Sequence, residues 1–166
     1  MSDYRLLIRV LCAVFLASTP GLSFLSEPAA TTADSLRRIE QQIHQEVNRV
    51  REAAHLPALK WNEPLAAEAR RHARNLATRR FFAHDDPTRG DLASRLDKSG
   101  IEWMRCAENL YEQGGNNNPA QGAVKAWLNS PGHRKNMLDS MLTDSGVGVA
   151  LQRNGTLVIV HELMWR

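Results

Sequence analysis

The chain is poor in cysteine: Cys12 and Cys106 are the only two among 166 residues, and Cys12 sits inside an apolar N-terminal run. That excludes a disulfide-stapled scaffold and any zinc site built from Cys-x-x-Cys pairs. Long hydrophobic runs are missing too. Val10 to Ala17 falls far short of the roughly 20 apolar residues of a membrane-spanning helix. There is no Gly-rich phosphate loop, no His-Glu-x-x-His helix and no Gly-x-Ser-x-Gly elbow. A formal net charge of only +3, with no readout motif beside it, argues against a nucleic-acid partner. The densest basic run, Arg70, Arg71, Arg74, Arg79 and Arg80, is interleaved with Glu63 and Glu68 and is expected to be a solvated helix face.

What is present fits one exported domain. With 43% hydrophobic and 23% charged residues the composition is globular, and the length suits one domain rather than two. About 130 residues bury roughly two thirds of their unfolded surface, enough to fold without a staple. Arg5 and Arg9 flank the Val10–Ala17 run, and small residues follow at Ser18, Gly21 and Ser23. This pattern is that of a secretory signal peptide over 1–23, with a cut after Ser18 or Ala30 as alternatives. Residues 24–33 are rich in Ser, Pro, Ala and Thr and form a leader linker, which leaves 34–166 as the domain. The expected location is secreted or periplasmic, with no transmembrane anchor after cleavage. Cys106 would then be the only cysteine, either a buried small hydrophobe or a thiol open to oxidation.

Periodicity divides the domain. Leu36, Ile39, Ile43, Val47 and Val50 recur at helical spacing behind Asp34 or Ser35 as N-cap. Leu59-Lys60-Trp61 is a short connector. Asn62 caps a second helix with Leu65, Ala69, His72 and Leu76 inward, and its alanines invite close packing. Phe81 to Pro87 is a structured loop, and Asp91 opens a short helix that Gly100 ends. Ile101 to Arg105 suits a short strand, and Gly114 to Asn117 a loop. Asn118-Pro119 and Ser130-Pro131 each start a helix, the second carrying His133 in its first turn. In the tail Val147, Val149 and Leu151 alternate. Asn154-Gly155 is a two-residue hairpin signal, and Leu157 to Trp165 returns as a strand apolar enough to be central. Helices first and a hairpin last suggest a three-layer α/β arrangement around an antiparallel sheet.

Three short motifs stand out: Phe82-Ala83-His84, Ala107-Glu108-Asn109-Leu110, and Trp127-Leu128-Asn129-Ser130-Pro131-Gly132-His133-Arg134-Lys135-Asn136-Met137-Leu138. With Val47-Asn48-Arg49-Val50-Arg51, Leu59-Lys60-Trp61-Asn62, Leu65 to Ala69 and Gly146-Val147-Gly148-Val149-Ala150, this order resembles the CAP superfamily, or SCP domain, in its compact bacterial form. The superfamily holds cysteine-rich secretory proteins, antigen 5 and plant pathogenesis-related class 1 proteins. The resemblance implies an α-β-α sandwich around a small antiparallel sheet, with a cleft in which His84, Glu108 and His133 meet. Many relatives have a glutamate three residues after the tryptophan of the third motif. Ser130 occupies that place here, and Glu112 is a spatial substitute the sequence leaves open. The last strand carries His161-Glu162 where the family often has Thr-Gln or Cys-Gln, which brings a new titratable pair to the sheet.

Two neutral imidazoles and a carboxylate are good ligands for zinc or another divalent metal, with His84 and His133 as the metal pair. The N-terminal end of a helix disfavours added positive charge on His133 by roughly 0.3–1 kcal/mol. Without metal, Glu108 would hold a histidine in one tautomer as an acid–base pair, so His84, Glu108 and His133 are also the catalytic candidates. Ser130 is a poor nucleophile candidate, because its N-cap role is expected to occupy its oxygen. The leading expectation is a cleft for a metal, a small ligand or an envelope component, not an enzyme. Its rivals are a metal-assisted hydrolase, a lipid or sterol carrier, and an interaction module with a structural His–Glu network.

Overall fold

A computed structural model describes residues 32–79, 81–115 and 118–166. The expected signal peptide and most of the expected leader linker lie outside the described residues. Among the described residues five helices and four strands follow in the order α1 (Thr32–Ala53), β1 (Lys60–Trp61), α2 (Glu63–Arg79), α3 (Leu92–Lys98), β2 (Arg105–Gln113), α4 (Pro119–Asn129), α5 (Pro131–Met137), β3 (Asp144–Leu151) and β4 (Leu157–Trp165). The strands form one sheet in the order β1-β3-β4-β2, with β4 central as its apolar sequence suggested. The three long strands are antiparallel. The Lys60–Trp61 connector is a two-residue strand parallel to β3, so the sheet is mixed.

Strand alternation sorts the residues into two faces. Val147, Val149, Ile159 and Leu163 join Ile43 and Val47 of α1 and Trp127 of α4 in the larger apolar cluster. Leu110, Ala150, Val158 and Val160 join Ala69, Ala73 and Leu76 of α2 on the opposite face. The close packing that the alanines of α2 invite is completed from β3. A Cβ on Gly146 would stand 2.3 Å from the Ala66 nitrogen, and one on Gly148 would stand 2.1 Å from the Arg70 nitrogen. Only glycine lets the helix backbone rest on the strand.

Local signals account for most boundaries. Asn62 accepts from the Leu65 amide at 3.1 Å, Asp91 from the Ser94 amide at 2.9 Å and Asn118 from the Gln121 amide at 3.3 Å, each capping a helix. Some differ from expectation. α1 already includes Thr32 and Ala33, so Asp34 and Ser35 lie in its first turn, not at its cap. The strand expected to end at Arg105 starts there and runs to Gln113, because Glu108 and Asn109 are buried by partners from other elements. The β3–β4 hairpin has three turn residues, not two: Gln152 pairs with Thr156 across Arg153, Asn154 and Gly155, and Gly155 takes φ +84. The basic run on α2 is not a plain solvated face. Arg70, its side chain 11% exposed, pairs with Glu40 and Glu63, and Arg71 pairs with a fully buried Glu68.

Candidate functional site

The three candidate residues gather around β2, an edge strand of the sheet. His84 comes from the loop between α2 and α3, Glu108 from β2 and His133 from the first turn of α5. His84 Nδ1 and Glu108 Oε1 are 2.8 Å apart, with the His84 side chain 57% exposed and that of Glu108 3% exposed. Two sequence-distant candidates are therefore joined directly. His133 approaches His84 closely enough to bear on its charge but makes no contact with Glu108. Its place is set through the backbone: Asn109 Nδ2 donates to the His133 carbonyl at 3.1 Å. Asn136 of the same helix donates to the Glu108 carbonyl at 3.1 Å and to Asn109 Oδ1 at 2.9 Å. Side-chain amides thus tie α5 to the outer edge of β2, which would otherwise show bare carbonyls.

Arg95 organises the other side. It is fully buried on α3 and donates to the His84 carbonyl at 2.6 Å and the Gly90 carbonyl at 3.2 Å. Its other terminal nitrogen donates to Glu108 Oε2 and reaches Glu162 Oε1 at 3.5 Å. One guanidinium fixes both the loop that carries His84 and the carboxylate that orients it. Both Glu108 oxygens are engaged, one by His84 and one by Arg95, so Glu108 orients the imidazole. Behind it lies His72, with Nε2 3.9 Å from Glu108 Oε2 and Nδ1 3.9 Å from Asp86 Oδ2. Burial would raise the Asp86 carboxyl, but hydrogen bonds from Thr88, Asn75 and Arg89 outweigh it and hold the group well below the usual range, stiffening the loop after His84.

The two imidazoles titrate in opposite senses. The hydrogen bond to Glu108 raises the His84 pKa against its partial burial. His133 is lowered, first by burial and then by nearby His84, which adds to the helix-end effect expected from the sequence. At neutral pH His133 is a neutral imidazole, while His84 keeps a proton on Nδ1 toward Glu108 in either charge state.

Ser130 stands at the N-cap of α5, but its side chain makes no capping bond. The expectation that capping occupies its oxygen is therefore overturned: Pro131 removes one of the free amides and sets the helix entry. Glu112 is exposed farther along β2 and lines a separate hollow with Phe82, Leu151 and Asn154. Cys106 is half-buried, and burial, with Asp91 and Glu162 nearby, pushes its thiol up to about 11, so it is an unreactive sulfur at neutral pH. Sequence reasoning missed Arg95, which sits beside Leu92 and Leu96 on the inward face of a short helix. An arginine on an apolar stripe was the available signal.

The cysteine-rich secretory protein family model, CAP, matches residues 44–162, most of the chain. The chain belongs to the CAP family. This CAP domain is 34% identical over 132 residues to YlbC of Bacillus subtilis strain 168, named an uncharacterized membrane protein, covering 75% of this chain and 36% of that one. It is 29% identical over 132 residues to uncharacterized YkwD of the same organism, covering 80% and 50%. The chain therefore spans a third to a half of these relatives. An extracellular protein containing an SCP domain from Bacillus anthracis strain Ames matches with a TM-score of 0.75 at 29% identity, over 85% of this chain and 45% of that one. The α-β-α sandwich expected from the motifs is the fold observed. No helix among the described residues is long and apolar enough to cross a membrane.

Proposed function

We propose that this CAP domain acts outside the cytoplasm as a binding module whose ligand is held in the His84–Glu108–His133 cleft. A divalent cation such as zinc, taken by the two imidazoles, is the first candidate. One observation carries the reading: Glu108 holds His84 at Nδ1, 2.8 Å away, on a side chain that is 57% exposed. That is how a carboxylate usually prepares a metal-binding histidine. The donor set fits an open site and not a closed structural one. Among the described residues no three His, Cys, Asp or Glu side chains gather as a ligand set, so His84 and His133 would be the protein's two ligands. A bound cation would supply Lewis acidity with open positions for an envelope or small-molecule ligand. Binding, not hydrolysis, is the favoured activity, since Glu108 has both oxygens engaged and, among the described residues, no nucleophile is hydrogen-bonded to His84.

Tag-free protein titrated with zinc by calorimetry tests the proposal. Heat from the wild type that disappears in the folded His84→Ala/His133→Ala variant is expected. Absence of heat in the wild type, or equal heat in the variant, rejects the cation. A second reading, lipid carriage, draws on a groove of about 320 Å3 between α1 and α2, lined by Leu36, Ala77, Val149 and Leu151. Lipid recovered with the purified domain, and lost on Leu36→Glu, would favour that groove over the histidine cleft.

A further inference from the structure

Glu162 is a buried acid that the cleft reading leaves unused. On β4 it stands directly opposite Glu108 of β2, and both side chains lie on the α2/α3 face of the sheet. Like charges in that cross-strand position repel. Its partner on the other flank is Gly146 of β3, which offers no side chain at all. The groups that face Glu162 are Glu108 and Cys106 from β2, Arg95 from α3 and Glu68 from α2, with His72 of α2 next to Glu108. Glu68 already receives Arg71, Arg89 and the Ser99 hydroxyl. Among the described residues that leaves one cation facing Glu162, Arg95, whose Nε also lies 3.7 Å from Glu68 Oε1 and one of whose terminal nitrogens serves both Glu108 and Glu162. Glu162 is fully buried, and its Oε2 meets no hydrogen-bond partner. Stripping an ionised carboxylate oxygen of every donor costs far more than leaving a neutral hydroxyl with few.

We propose that Glu162 is a positioning residue of the cleft: it carries a proton in the folded protein, yields the charge of Arg95 to Glu108, and so keeps Glu108 aimed at His84 Nδ1. It rests on the reading of His84 as the group that meets the ligand. The acid is raised by burial and then by Glu108, consistent with this geometry. Because the folded-state pKa lies above the unfolded one, the contribution to stability is complete below about pH 4.3, the ordinary glutamate value, and is lost as pH rises through the folded-state pKa.

Glu162→Gln keeps the shape of the neutral acid and cannot ionise. Urea titrations of metal-free protein from about pH 5 to 9 should show the ratio of wild-type to variant unfolding constants rising by up to about tenfold per pH unit. The rise ends where Glu162 ionises. At that pH the His84 Nδ1 resonance of the wild type should show an inflection, passed on through Arg95 and Glu108, that Glu162→Gln lacks. A ratio that stays flat with pH, as a purely packing role gives, overturns the proposal. So does a second inflection at that pH, distinct from His84's own titration, that persists in the variant. If Glu162→Gln does not fold, infrared spectra of the wild type at neutral pH decide: a protonated carboxylic acid band supports the proposal, and its absence overturns it. No zinc is present in these measurements, so failure of cation binding at the cleft would leave their outcome unchanged.

Discussion

The two faces of the sheet solve the problem of burying polar groups in different ways. On the α2/α3 face Glu68, Arg95, Glu108 and Glu162 are all buried, and the helix backbone lies almost on Gly146 and Gly148. There the charges are shared through a guanidinium, and the network reaches the surface at His84. On the α1/α4/α5 face the interior is aliphatic around Trp127, whose indole N–H donates to the Leu110 carbonyl at 3.0 Å. Besides Glu40 and Arg51 of α1 it buries His161, which is stacked on Trp127 at 5.3 Å and bonded through Nε2 to Ser145 Oγ at 3.0 Å. His161 and Glu162 are adjacent on β4 and point to opposite faces. One face keeps its acid protonated and the other keeps its base unprotonated. Burial disfavours charge in both, and the proton follows the chemistry of each group.

The largest expected effect tests the closeness that only the charged face requires. In Gly148→Ala the new Cβ would sit 2.1 Å from the Arg70 nitrogen and 2.2 Å from the Ala69 carbonyl carbon. These are backbone atoms of a helix and cannot rotate away. A loss above ~4 kcal/mol, or no folded domain, is expected by urea titration with circular dichroism. Gly132→Ala, where a Cβ meets nothing within 4 Å, is the matched control and should change stability by less than ~1 kcal/mol. Comparable losses in the two would show that α2 does not rest on the strand.

Next in size is the opposite pH dependence of the two faces. Burial first, then His44 and Arg51, lowers His161 to about 3, below the ordinary value of 6.5. The unfolded chain therefore binds a proton that the folded one refuses, and stability falls as pH drops from about 6.5 toward 3. Each pH unit in that window costs up to ~1.4 kcal/mol relative to a variant that does not titrate. His161→Gln can keep a bond to Ser145 and should flatten this acid limb. Glu162 acts with the reverse sign, its contribution falling as pH rises above about 4.3. Denaturation midpoints of wild type and His161→Gln from pH 4 to 8 check it, and parallel curves would mean that His161 is reached by solvent.

These two groups show what was legible in the sequence. The strand pattern of Leu157–Trp165 made its residues alternate between faces, and His161-Glu162 stood out as titratable neighbours on a central strand. Of the three motif residues expected to meet in a cleft, His84 and Glu108 prove to be in direct contact. The sequence did not show which cation would serve the buried acids. Arg95 lies 13 residues before Glu108 and 67 before Glu162 in the chain, and that distance is closed only by packing α3 against the sheet. The mixed sheet was equally hidden. Lys60–Trp61 is too short to show a strand period and becomes one by lying along Asp144 and Ser145.

The smallest expected effect separates the helix starts of the two layers. Asp91 caps α3 beside Arg95 with a real hydrogen bond to the Ser94 amide, whereas Ser130 begins α5 with none. Asp91→Ala should cost ~1 kcal/mol, the usual value of a lost cap. Ser130→Ala should cost less than ~0.5 kcal/mol, because α5 is held by Asn109 and Asn136 and by Pro131 at its first position, not by its cap side chain. Thermal denaturation of the two variants side by side makes the comparison. A Ser130→Ala loss equal to that of Asp91→Ala would mean that the hydroxyl turns to the free amides of α5 in solution. Ser130 would then be a cap after all, and its oxygen would be unavailable to anything bound between His84 and His133.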